Sequence, residues 1–245
     1  MQSPRQAMTI AFEIGRYRTR LAAGPADLAA CQQLRHACFF GHPGLDSVSF
    51  DARCRHLMIE DAAGRLVADA RIMLIAKGAD VAQSYAAQFY DLSGLSAQHG
   101  PMLEMGRFCI AADVLDADVV RVAWGALAQI VDDQGVQMMI GCTSFTGTDP
   151  ARYGAGFARL AAQHQGPAHL RPGVKAPETV ALTGQGDGTA PLPSLLRSYL
   201  AMGGWVSDHA VVDRQMNTLH VFTCLDIAAV PPARARALRA VMGAR

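Results

Sequence analysis

Between positions 102 and 145 the chain writes a strand pattern, a helix pattern and a second strand pattern in succession. That order constrains the fold more than any other feature of the sequence. MLEMGRFCI (102–110) is apolar and bounded by polar or turn residues, as a buried strand is. Over 116–133, Val119, Val120, Ala123, Trp124, Leu127, Ile130 and Val131 recur at helical spacing on one side. Gly135 supplies the stop. VQMMIGCTSF (136–145) then reads as another buried strand. Such alternation predicts an α/β fold with a mixed central sheet and helices on both faces.

The flanking segments fit the same plan. RYRTRLA (16–22) alternates like a strand, Gly24-Pro25 interrupts it, and Asp27 is placed to cap a helix reaching Phe40. Residues 41–50 read as loop. Residues 56–60 and 65–75 form a predicted hairpin about Gly64, and residues 83–90 a short helix. After Asp149-Pro150 a helix is expected, with proline in its first turn. TGQGDGTAPLP (183–193) reads as a mobile loop. Helices are expected at 195–202 and 232–242, with a strand at 219–224. The segments joined by the loop are too short to stand alone, so 1–245 reads as one domain.

Composition excludes several classes. A net charge of +1 offers no footprint for nucleic acid. The six cysteines form no C-x-x-C pair, so no metal is expected, and their use fits a reducing cytoplasmic compartment. The first fifteen residues lack the apolar core of a signal peptide, and no apolar run is long enough to span a bilayer. Residues 151–177 hold Arg152, Arg159, Arg171 and Lys175 without an acid. The terminal segment holds Arg234, Arg236, Arg239 and Arg245, again without one. These are solvated faces or docking surfaces for an acidic protein or anionic lipid; both readings stay open.

Three segments in order carry a resemblance: Glu104-x-x-Arg107 within MLEMGRFCI, IGCTSFTGTDP at 140–150, and LPSLLRSYLAMGGWVSDHAVVDRQMNTLHVFTCLDI at 192–227. Together they resemble the bacterial ornithine-lipid N-acyltransferases, which are related to acyl-homoserine-lactone synthases and similar in fold to GNAT acyltransferases. The resemblance runs from about Arg18 to Ile227. It implies a GNAT-like fold and transfer of a 3-hydroxyacyl chain from acyl carrier protein to the α-amine of ornithine, or of glutamine, giving a lyso-aminolipid. It implies no bound cofactor; the acyl-phosphopantetheine of the carrier is the donor substrate. Arg35 and Phe39 on the first helix, Asp51 after the loop, Arg71 on a strand and Ser144 become candidate substrate-binding residues, with Glu104 and Arg107 as catalytic candidates. Relatives show acidic-x-acidic-x-aromatic-Asp before the hairpin; here Val48 replaces the middle acid.

GNAT enzymes hold the coenzyme A pyrophosphate on a glycine-rich loop ahead of a helix. This chain has AADVLDAD there, where Asp113, Asp116 and Asp118 oppose a pyrophosphate, which favours a carrier-protein donor. The chemistry asks for a base to unmask a protonated amine, N–H donors for the thioester oxyanion, and an arginine fork for a carboxylate. Glu104, Arg107 and Arg71 are of those types. In a regular strand, i and i+3 face opposite sides, so a site shared by Glu104 and Arg107 requires a bulge or splay near Met105–Gly106. His56, in an apolar strand, reads as a core histidine, and Cys142 and Trp124 as packing. Asp51 reads equally as loop closure. The protein is expected in the cytoplasm, with peripheral contact on the anionic inner face of the membrane. Two other readings stay open: a lactone-type signal synthase using S-adenosylmethionine, and an acyl-binding protein without turnover.

Overall fold

The computed structural model describes residues 10–183 and 188–243. The chain divides into two compact units: 1–74 with 105–136 and 232–245, and 75–104 with 137–231. The architecture is mixed α/β, as the strand–helix order predicts.

The first unit is built on β1 (Ala11–Ile14), β2 (Tyr17–Leu21), β3 (Arg55–Glu60), β4 (Leu66–Ile75) and the later part of β6 (Met102–Ile110), neighbours in that order. β1, β2, β3 and β4 pair antiparallel in sequence. β1 was not anticipated. Gly15, at φ +58°, turns the chain so that β1 folds back on β2. Helix α1 (Pro25–Phe40) is capped by the Gly24 backbone. Asp27, expected as its cap, lies in the first turn, where it accepts from Ala23 N–H and from Nη1 and Nη2 of Arg20. Helix α2 (Asp118–Gln134) ends at Gly135 in the left-handed region.

Alternation along β3 and β4 assigns their faces. His56 opposes Arg71 and Met58 opposes Asp69 on one face; Leu57 opposes Ala70 and Ile59 opposes Ala68 on the other. The apolar face packs with Val119, Val122 and Ala123 of α2 and with Val241 of α5 (Pro232–Gly243). The polar face receives Cys31 and Arg35 of α1. Within this unit helices therefore cover both faces.

The second unit contains the start of β6, then β7 (Met138–Thr146), β11 (Thr218–Asp226), β10 (Trp205–Asp213) and β9 (Thr179–Ala181) in spatial order. β7, β11, β10 and β9 are antiparallel neighbours. A small ribbon pairs β5 (Tyr90–Asp91) with β8 (Gly173–Val174). Residues 83–90, expected as one helix, form a 3-10 turn at Ala86–Gln88 between other short turns. Helices α3 (Gly154–Gln163) and α4 (Ser194–Ala201) bury Phe157, Leu160 and Leu196 against Phe145, Val206, Leu219 and Val221 on one sheet face. Of the expected loop at 183–193, residues 184–187 lie outside the described residues. Residues 188 and 190 hydrogen-bond to the backbone of 151–155.

Candidate active site

The polar face of the first unit gathers polar and charged side chains that its sequence scatters from Gln32 to Arg107. Arg35 is fully buried and reaches four residues. Its Nη2 donates to Asp51 Oδ2 at 2.7 Å and to the Asp46 carbonyl at 2.6 Å. Its Nε lies 3.1 Å from Asp46 Oδ2, and its Nη1 3.8 Å from Asp69 and 3.3 Å from His56 Nδ1. Asp51 also accepts from Gln32 at 2.9 Å and from Arg71 at 3.3 Å. Arg71 stacks over the Phe50 ring, 4.9 Å from its centroid.

Charges this deep survive only when paired and hydrogen-bonded. Burial pushes the Asp51 carboxyl up, but hydrogen bonds from Arg35 and Gln32 and the charges of Arg35 and Arg71 outweigh it, so it lies below the usual range. Asp69 is the opposite case. Burial carries it to about 7 against the pull of the Arg35 charge and of a hydrogen bond from the Cys31 thiol. His56 is lowered by burial and then by the Arg35 charge.

Arg107 sits at the edge of this cluster. Its Nε donates to Asp46 Oδ2 at 3.1 Å, and its guanidinium lies 5.7 Å from the centroid of Phe39. Its φ is +54°, an uncommon conformation for a side chain other than glycine or asparagine. This left-handed value is an irregularity of the β6 backbone, one residue beyond the Met105–Gly106 pair at which a bulge or splay is expected. Gly106 is open on its side-chain face, where Arg71 Nη2 would be 3.8 Å from an added Cβ. Strain held at a charged residue points to function there.

Glu104 belongs to the second unit and is buried. Its two oxygens accept the N–H groups of Tyr85 at 2.6 Å and Ala86 at 2.8 Å, which fixes the carboxylate against the turn before Ala86–Gln88. Ser144 is exposed on β7, directly opposite His220 of β11.

Of the sequence candidates, Arg35, Asp51, Arg71, Arg107 and Phe39 come together in the first unit. Glu104 and Ser144 lie in the second. Asp69 and Gln32 escaped the sequence reading, and His56, read as core, is part of the network. One signal for Asp69 was available: it is the lone acid inside the apolar run LVADARIMLI, two residues from Arg71 and so on the same face. Cys31, His56 and Asp69 bring ligand atoms within 4.8 Å of one another. The Arg35 guanidinium already stands beside Asp69 and His56, so the cationic role there is filled by the chain itself.

The loop after β6 borders an open groove of about 760 Å³ lined by Arg16, Tyr17, Arg65, Asp113 and Asp116. Arg65 pairs with Asp113, and Arg16 with Asp116. Both arginines of this groove are thus paired with carboxylates of the loop after β6.

The Acetyltransferase (GNAT) domain model matches residues 32–125, the segment carrying Arg35, Asp51, Arg71, Glu104 and Arg107. The chain is 31% identical to an L-ornithine N(alpha)-acyltransferase of Rhodobacter capsulatus, over 87% of this chain and 91% of that one. It is 28% identical to one of Brucella abortus, over 87% and 85%. The structure of FeeM, an N-acyl amino acid synthase from uncultured soil microbes, superposes with a TM-score of 0.53 at 10% identity, covering 87% of this chain and 92% of that one. That likeness bears on the fold, which is GNAT-like. A chain matched along nine-tenths of the Rhodobacter enzyme at this identity is an acyltransferase and belongs to the L-ornithine N(alpha)-acyltransferase family.

Proposed function

We propose that the protein transfers a 3-hydroxyacyl chain from the phosphopantetheine thioester of acyl carrier protein to the α-amine of ornithine, yielding a lyso-aminolipid. The single observation that carries the choice of ornithine is the end-to-end match to the Rhodobacter enzyme of that name. The amine nitrogen attacks the thioester carbonyl, the carbon–sulfur bond breaks, and the departing thiolate takes up a proton. Glu104, oriented by two backbone N–H groups, is the acceptor for the ammonium proton. Arg71 and Arg107 are the candidates for the amino-acid carboxylate. Arg35 and Asp51 position Arg71, and Phe39 supports Arg107. Ser144 is a substrate contact on the exposed part of β7.

The donor assignment is supported by the paired groove arginines, which offer a pyrophosphate little. Membrane contact is supported by Arg234 and Arg236, which are exposed on α5; Arg239 is bound bidentately by Asp132, and Arg245 lies outside the described residues. Among the described residues no helix is long and apolar enough to cross a membrane. The reading keeps the protein in the cytoplasm at the inner membrane face. The deciding experiment supplies ornithine with 3-hydroxyacyl carrier protein or the matching coenzyme A thioester, and identifies the lipid product by mass spectrometry. Faster turnover with coenzyme A sinks the donor assignment. Acylation of glutamine in preference to ornithine sinks the acceptor.

A further inference from the structure

The second unit buries α3 and α4 against one face of its sheet. The opposite face carries a polar cluster of which the proposed reaction uses only Ser144. Val211 opposes His220, and β7 sets Ser144 opposite His220 and Cys142 opposite Phe222. Alternation puts His209, Val211, His220, Phe222, Cys142 and Ser144 on that face together. Tyr90 packs over it, with its ring centroid 5.3 Å from His209, 5.6 Å from His220 and 5.8 Å from Phe222. Phe89 meets the His220 ring edge-on at 4.9 Å.

β10 is deformed to achieve this. Its register against β11 shifts between Val206 and Ala210. The Ser207 hydroxyl fills the gap, accepting from Phe222 N–H at 3.1 Å and donating to the His209 carbonyl at 2.6 Å. The bulge is therefore a satisfied, built feature, and it sets His209, only 4% exposed, against Tyr90.

Proton counting fixes the tautomers. Tyr90 has one hydroxyl proton, and it goes to the His220 carbonyl at 2.7 Å. Its oxygen also lies 3.2 Å from His220 Nδ1, so that nitrogen must be the donor. His209 Nδ1 lies 2.7 Å from Asp208 Oδ1 and is likewise the donor. Assigned this way, the His220 ring, held neutral by burial, has a bare Nε2 that can only accept, and His209, with Nδ1 taken by Asp208, keeps only Nε2 for a further bond. Both Nε2 atoms are buried and lack a partner among the described residues. A buried acceptor left unmet is costly, so two on one aromatic face call for a guest that brings a proton donor.

We propose that His209 and His220 are the specificity site for the hydroxyl of the 3-hydroxyacyl donor, with the chain lying along Phe89, Tyr90 and Phe222 and entering past Ser144. The proposal deepens, and rests on, the 3-hydroxyacyl donor proposed above. A neutral hydroxyl fits better than an ammonium group. Burial holds His220 down at about 4, and the same surroundings would penalise a cationic guest.

The test uses the full chain in two arms. In the first, ¹⁵N spectra of the histidine side chains are recorded with a 3-hydroxy fatty acid and with the unsubstituted acid of equal length. Both rings start as Nδ1–H tautomers, and the Nε2 signals move only with the hydroxylated acid. In the second, kcat/KM is compared for 3-hydroxyacyl and unsubstituted acyl carrier protein. The wild type prefers the hydroxylated donor by about tenfold or more, the scale of one hydrogen bond. His209→Phe and His220→Phe bring that ratio to about one, and His220→Gln, which restores an acceptor, recovers part of it. Protonated Nε2 atoms, equal shifts with both acids, or a preserved ratio in a folded phenylalanine variant each overturn the assignment. Selective Nε2 shifts without turnover of either donor would instead remove the proposed transfer from acyl carrier protein and leave the hydroxyl site standing.

Discussion

Arg35 of α1 and Asp51 of the turn at Ser49–Arg53 meet at 2.7 Å with neither side chain meaningfully exposed, and this pair ties the first helix to the approach of β3. Around it stand Asp46, Asp69 and His56 on one side and Arg71 and Gln32 on the other. Removing one partner from such a pair leaves an uncompensated buried charge. Arg35→Met is expected to cost about 3–5 kcal/mol in urea unfolding. Arg35→Lys recovers only part, because an ammonium cannot reach Asp51 and Asp46 with one planar fork. A lysine variant of wild-type stability would show that the fork geometry is unimportant.

Glu104→Gln is expected to affect two measurements at once. Both carboxylate oxygens accept backbone N–H groups. Glutamine keeps one acceptor and turns an amide NH₂ toward the other N–H. Stability falls by about 1–3 kcal/mol, and turnover falls about 10²–10⁴-fold, the usual scale for a lost general base. A stable variant with near-normal kcat removes Glu104 from the reaction.

Arg107 invites a comparison of two replacements. Its φ of +54° suits glycine and opposes a β-branched side chain. Arg107→Gly and Arg107→Val both lose the guanidinium, so both raise KM for the amino acid. The valine variant is expected to be less stable than the glycine variant by about 1–2 kcal/mol. Equal thermal midpoints would mean that the backbone relaxes without strain.

Asp69 gives a pH signature with a definite sign. Its folded value of about 7 lies above the ordinary carboxylate value of about 3.9. Between those values the folded state holds a proton that the unfolded state has released, so stability falls as pH rises and levels off above the upper one. Asp69→Asn removes this term. The melting difference between Asp69→Asn and wild type should therefore move in favour of the variant from about pH 4 to 7 and then stay flat. A flat difference across that window refutes the raised value.

The sequence by itself determined the alternation of strands and helices. It gave the full extent of β6, the α2 stripe with its Gly135 stop, and the β3–β4 hairpin, because periodicity and turn residues are local signals. It also supplied Arg35, Asp51 and Arg71, which the fold gathers, through ordered motifs that resemble a known family. β1, β9 and β10 escaped. β1 is only four residues long, β9 three, and the polar run Ser207–Asp208–His209 breaks the pattern of β10. Tertiary structure alone decided which charges meet. Asp69 is an ordinary acid in the sequence, and its character comes from burial beside Arg35, supplied by a helix more than thirty positions earlier. The same holds for His209 and His220. A lone histidine in an apolar strand reads as core, and only the register of β10 on β11 and the single proton of Tyr90 reveal two bare nitrogens on one face. Local pattern fixes where a side chain points; the partner it finds is set by pairing between distant segments, which no local window records.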